Sequence, residues 1–297
     1  EDPATGLTAI CEPYLGRATL CDLLDRAFAD GETPRHARVI GETITALRID
    51  SESGEPPVLP RSCGRGSYLD CVLRLVLQIA DALSYTHARG ICHRDLKPSN
   101  VLLSNEGQPL LLDFNLSADG EINAWRMGGT LPYMSPEQLR VIAASGVGPV
   151  LPPDPRSDLF SLGVIAHELL CGRLPFGPMP QHSTVEEIAE ELLARQKAGP
   201  RSPREHNPCV DRHVERLLGQ CLAFDIDDRP ESAKELVESL RRLLSPARRA
   251  RRWARNHPRR VLASAAVALA VVLAGAAYWA SLPTYPVRQY QISRQLA

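Results

Sequence analysis

The chain has 297 residues, 44% of them hydrophobic and 23% charged, so it can bury a sizeable core as one large domain or two small ones. The formal charge of −1 hides a split: no acidic residue follows Glu238, whereas Arg241, Arg242, Arg248, Arg249, Arg251, Arg252, Arg255, Arg259 and Arg260 do. The acidic body and basic tail predict that the tail meets an anionic surface, membrane or nucleic acid, while eight cysteines without a Cys-x-x-Cys pair exclude a zinc module and read as thiols of a reducing compartment.

In chain order, residues 7–15 read as a strand ending near Pro13. A helix over 19–29 places Leu20, Leu23, Leu24 and Phe28 on one face. Residues 31–66 are rich in Gly, Pro, Ser and charge, longer than an ordinary connection, and are expected to be a partly disordered insertion in which 39–47 is the candidate for order. Ser67 can cap a helix that runs to about Ala88 with helical apolar periodicity and stops at Gly90.

The stretch His93-Arg94-Asp95-Leu96-Lys97-Pro98-Ser99-Asn100 then packs an acid, a cation and an amide into one loop. Phosphoryl transfer to a hydroxyl needs a carboxylate at the hydroxyl, cations on the phosphates and metal ligands that hold them in line. Asp95 can accept the hydroxyl proton, Lys97 can reach the transferring phosphate, and Asn100 can offer a neutral oxygen to a metal. Leu110, Leu111 and Leu112 form a predicted buried strand that delivers Asp113, a second oxygen ligand suited to Mg²⁺. The remainder reads as helices over 157–171, apolar nearly all round, and over 184–196, 210–223 and 230–244, amphipathic. Residues 261–282 carry no charge and are long enough to cross a bilayer, with Tyr278 and Trp279 near the far end.

These landmarks resemble the eukaryotic-type Ser/Thr protein kinases. His93 to Asn100 resembles the family's catalytic loop, Asp113-Phe114-Asn115 its Asp-Phe-Gly motif, and Met134-Ser135-Pro136-Glu137 its Ala-Pro-Glu. Asp158 resembles the central-helix aspartate that holds the catalytic-loop backbone, and Arg229 resembles the partner of Glu137. The resemblance implies an α+β protein-kinase-like fold, mainly the helical large lobe, followed by one transmembrane helix. It implies Asp95, Lys97, Asn100 and Thr130 as catalytic residues, and Asn100 and Asp113 as Mg²⁺ ligands. It also implies ATP bound through Pro13, Leu15, Lys97, Asn100 and Asp113, and places Thr130, with Lys97, in the Ser/Thr-specific pattern. His93 is expected to pack and hydrogen-bond rather than act as a base. Arg94 would ordinarily meet a phosphate on the segment 113–137, but Ser117 is the only hydroxyl between Asn115 and Gly129, so Asp119 or Glu121 is expected to pair with it instead.

The implied organisation is a last small-lobe strand and hinge over 1–16, the large lobe over 17–245, a basic linker over 246–260, the span over 261–282 and an exterior tail over 283–297. The glycine-rich loop, strand lysine and helix glutamate of a small lobe have no counterpart before Tyr14, and the first lysine is Lys97. Without an initiator Met, the chain is expected to be a fragment or processed product. The leading expectation is a membrane-anchored Ser/Thr kinase resembling bacterial receptor-type kinases, body in the cytoplasm. Its partners would be proteins bearing Ser or Thr, the membrane and a second copy in a homodimer; nucleic acid is set aside because a span follows the arginines directly. The competing expectation is a truncated pseudokinase serving as a membrane-tethered binding scaffold.

Overall fold

The computed structural model describes residues 15–47, 66–114, 130–144, 154–181 and 184–281. The chain divides into two units, residues 1–249 and 250–297. In the first unit a short strand, β1 (Ala18–Thr19), pairs antiparallel with β2 (Val101–Leu103), which pairs antiparallel with β3 (Pro109–Leu111). Around this small sheet stand α1 (Leu20–Ala27), α2 (Arg38–Leu47) and α3 (Tyr68–His87), followed by α4 (Pro136–Ala143), α5 (Arg156–Cys171) and α6 (Val185–Ala198). The helices α7 (Pro203–His206), α8 (Arg212–Cys221) and α9 (Ala233–Leu243) complete the first unit, α10 spans Pro246–Asn256, and α11 spans Pro258–Ser281.

Local chemistry sets the helix starts. Thr19 and Asp22 close a capping box on α1, with the Thr19 N–H donating to Asp22 Oδ2 at 2.7 Å. Ser67 Oγ accepts the Asp70 N–H at 3.2 Å and opens α3. The amphipathic faces of α1 and α3 turn Leu20, Leu23, Leu73, Ile79 and Leu83 into one core with α5 and α9. Helix α5 is buried on nearly every side, and Gly172, left-handed at φ 66°, ends it where the Phe28 ring leaves no room for a Cβ.

One sequence expectation needs correction. The strand before Asp113 is only half-buried and covers Pro109–Leu111, because β3 is the edge of the sheet rather than its middle. In the segment 31–66 the stretch expected to be ordered, 39–47, is the helix α2, and it goes beyond that expectation only in its packing: Ala37, Ile40 and Ile44 are buried in one core with α1. Residues 48–65 lie outside the described residues, as do 1–14 with Pro13, 115–129 with Asn115, Ser117, Asp119 and Glu121, and the tail 282–297.

In the second unit α11 has 24 residues with a mean hydropathy of 2.2 over its most apolar window and none of that window buried. It is long and apolar enough to cross a membrane, by length and composition.

Candidate active site

The loop after α3 is suspended from a buried carboxylate. Asp158, on the first turn of α5 and 1% exposed, accepts the Arg94 N–H on Oδ1 and the His93 N–H on Oδ2, each at 2.8 Å. His87 Nε2, from the last turn of α3, meets the same Oδ2 at 2.8 Å. A carboxylate is tolerated in so apolar a helix because these partners satisfy it. They also hold Arg94 at φ 66°, a conformation that costs an ordinary residue roughly 1–3 kcal/mol. Gln138 Nε2 donates to the Arg94 carbonyl at 2.9 Å, which ties α4 to the same turn.

The side chains that the loop presents converge. Lys97 Nζ donates to Asp95 Oδ2 and to Thr130 Oγ1, both at 2.8 Å, so one ammonium joins its loop neighbour to a hydroxyl 33 positions further along the chain from Lys97. Asn100 Nδ2 donates to the Asp95 carbonyl at 2.8 Å and to Asp95 Oδ2 at 3.1 Å. That commits the amide nitrogen and fixes which end of Asn100 is left, an Oδ1 whose contact is the Ser99 hydroxyl at 3.4 Å. The Leu112 N–H donates to the Asn100 carbonyl at 2.9 Å and so brings the end of β3 to the loop. Asp113 follows at φ 55°, exposed. Asn100 Oδ1 and the Asp113 carboxylate are hard oxygen donors of the kind Mg²⁺ takes, and the residues fit that ion.

His93 is fully buried, its ring 4.6 Å from that of Phe114, and burial lowers its pKa and keeps it neutral. It packs as expected, but its ring nitrogens make no hydrogen bond among the described residues. The carbonyl of Leu15, whose backbone was expected at the adenine, accepts the Asn105 N–H at 3.2 Å.

The stretch from Thr130 to Glu137 is held from three sides. Ser161 Oγ donates to the Tyr133 carbonyl at 2.7 Å, Tyr133 OH donates to Glu168 Oε2 at 2.7 Å, and Gln196 Nε2 donates to the Met134 carbonyl at 2.9 Å. Burial raises the pKa of both Tyr133 and Glu168. At its end Arg229 grips Glu137 through two bonds of 2.8 and 2.9 Å, and Ser157 Oγ donates to Glu137 at 2.6 Å. Sequence reasoning missed His87, Gln138, Glu168 and Gln196. Only Gln138 left a signal, Ser135-Pro136-Glu137-Gln138, in which the Gln138 side chain accepts the Ser135 N–H as in a capping box.

A carboxylate, an ammonium and a hydroxyl joined in one chain of bonds, beside two oxygen donors, is an arrangement for handling a hydroxyl next to a metal-bound phosphate. Residues 69–240 match the protein kinase domain family. The chain is 39% identical over 167 residues to the serine/threonine-protein kinase Pkn1 of Myxococcus xanthus, covering 53% of this chain and 22% of that protein. It is 33% identical over 223 residues to pkn2 of the same organism, covering 71% of this chain and 24% of that protein. It is 38% identical over 162 residues to the DNA damage-responsive serine/threonine-protein kinase RqkA of Deinococcus radiodurans, covering 52% of this chain and 22% of that protein. The chain thus spans under a quarter of the length of these relatives. With more than half of its residues inside the family match, the chain belongs to the eukaryotic-type serine/threonine protein kinases.

Proposed function

We propose that this chain carries the large-lobe part of a membrane-anchored kinase that moves the γ-phosphoryl group of ATP to Ser and Thr hydroxyls of proteins. The observation that carries the reading is Lys97, bonded at once to Asp95 and Thr130. Lys97 and Asn100 both donate to Asp95 Oδ2, which orients the carboxylate with Oδ1 available to accept the proton of an incoming hydroxyl. Lys97 neutralises charge on the transferred group, and Thr130 places the hydroxyl-bearing residue. Asn100 and Asp113 would hold Mg²⁺, which when bound supplies charge neutralisation on the phosphates. Leu15 and Pro13 would offer backbone groups to the adenine. The membrane part is supported by α11 and by the arginines before it; with arginines on that side of a span, the body would face the cytoplasm.

The test uses protein expressed from its full reading frame, incubated with ATP, Mg²⁺ and a Ser/Thr-containing protein. Phosphoserine or phosphothreonine should form, and Asp95→Asn should slow transfer by about a hundredfold or more. Protein that binds no ATP, or an Asp95→Asn variant that transfers at the wild-type rate, would leave the scaffold as the function.

A further inference from the structure

Among the described residues one groove gathers cations that the phosphoryl-transfer reading leaves unused. Between α8, α9 and the start of α10, a cavity of about 200 Å³ is lined by His213, Arg216, Gln220, Ser239, Arg242 and Arg248, with Leu217 and Leu243 at its floor. No carboxylate lines it. The acid next in sequence to Arg216, Glu215, is occupied by the Ser202 hydroxyl and by Arg204. Arg242 has Glu238 at 3.5 Å in an exposed pair, a contact of small worth. Arg216 and Arg248 have no acidic partner among the described residues. Three guanidiniums around one concavity, with a histidine, an amide and a hydroxyl as further polar groups, form a site that an anion would complete: each guanidinium offers a fork of donors matched to phosphate oxygens.

The chain itself argues for the source of that phosphate. Arg248 stands ten residues before Pro258, where the apolar helix begins, so whatever path the chain takes, the tether keeps Arg248 within about 35 Å of it. If α11 spans a bilayer, a reading on which this inference rests, headgroups are presented to the groove at an effective concentration that a freely diffusing phosphate does not reach. The run Arg251, Arg259 and Arg260, exposed and without an acidic partner among the described residues, adds to the attraction for an anionic leaflet. We propose that the α8–α9 groove binds the phosphate of an anionic phospholipid headgroup, so that the kinase body holds lipid at a defined site in addition to its membrane span.

The experiment reconstitutes the full chain in nanodiscs of phosphatidylcholine, alone or mixed with a headgroup-photoactivatable phosphatidylglycerol, and maps crosslinked peptides. Wild type should crosslink within α8, α9 and the first turn of α10. The triple variant Arg216→Gln/Arg242→Gln/Arg248→Gln should lose these crosslinks by about tenfold or more, since each arginine near the surface is worth roughly fivefold in binding. Arg251→Gln/Arg259→Gln/Arg260→Gln, with the same loss of charge outside the groove, should keep them. Equal loss in both variants, or crosslinks spread over the arginine run, overturns the groove and leaves general attraction. Displacement by inorganic phosphate or a phosphopeptide at concentrations matching the lipid overturns the lipid assignment. Insertion into phosphatidylcholine discs is scored separately: a chain that does not enter overturns the membrane reading and the groove with it, whereas one that enters without groove crosslinks overturns the groove alone.

Discussion

Glu137 and Arg229 stand 92 positions apart and meet with the guanidinium fully buried and the carboxylate nearly so. Burial, the largest single influence on Glu137, would raise its pKa. The Arg229 hydrogen bonds and charge, with the Ser157 hydroxyl, together outweigh it and pull the carboxyl from 4.5 down to about 2. Because the folded value lies below the unfolded one, the pair's contribution is fully present above about pH 4.5 and is lost as pH falls toward 2. A shift of this size corresponds to on the order of 3 kcal/mol. Glu137→Gln removes the charge and strands Arg229, whose remaining contacts are the Ala223 and Arg156 carbonyls and the Phe160 ring at 5.0 Å. Urea unfolding in detergent at pH 7 should show a loss of about 3–5 kcal/mol. The gap to wild type should shrink as pH drops from 5 to 3; a gap constant over that range would assign the loss to packing instead of charge.

Helix α5 meets α8 so closely that Gly163 has no room for a side chain. A Cβ there would lie 2.8 Å from Cys221 Cβ and 3.3 Å from Leu222 Cδ2. Gly163→Ala gains about 1 kcal/mol of helix propensity but overpacks by roughly 1–3 kcal/mol. The loss should win, because Cys221 Cβ is fixed to its backbone and cannot swing away. Gly219, on α8, has nothing within 4 Å of its would-be Cβ, so Gly219→Ala should stabilise by about 0.5–1 kcal/mol. Thermal unfolding that moves both variants in the same direction would refute the close approach. Elements such as α1 and α3 were legible in the sequence, since their caps and apolar periods are local. The helix α10 was not: Pro246–Asn256 is largely arginine and alanine, its apolar side is only Ala247, Ala250, Trp253 and Ala254, and so charged a stretch reads as a linker. The edge position of β3 was equally hidden, because three leucines look the same in the middle of a sheet and at its rim.

At the scale of the whole molecule, the candidate site divides into what a contiguous motif carries and what the fold assembles. Asp95, Lys97 and Asn100 sit within six residues, so their chemistry could be read directly. The meeting of Lys97 with Thr130, and of Asp158 with the loop backbone, was legible only through family resemblance. His87 on Asp158 and the arginines of the α8–α9 groove had no signal, since they come together only when separate helices pack. The length and apolarity of α11 are the opposite case, legible from composition alone. Within its unit α11 buries none of its apolar window, so Val267, Leu269, Val271, Val272 and Leu273 present an exposed apolar surface of the kind that a lipid or protein partner covers. On the proposed span the arginines would set the direction: Arg248, Arg249, Arg251, Arg252, Arg255, Arg259 and Arg260 lie on or before the first turn of α11, against Arg288 and Arg294 beyond its end. That imbalance favours the body side as cytoplasmic. A Ser293→Cys variant in intact cells should therefore react with a membrane-impermeant maleimide, while the half-buried Cys21 and Cys92 of the body stay unlabelled until the cells are lysed. Labelling of the body but not of residue 293 before lysis would reverse the orientation and separate the kinase site from cytoplasmic ATP. Labelling of neither until lysis would mean that α11 does not cross the membrane.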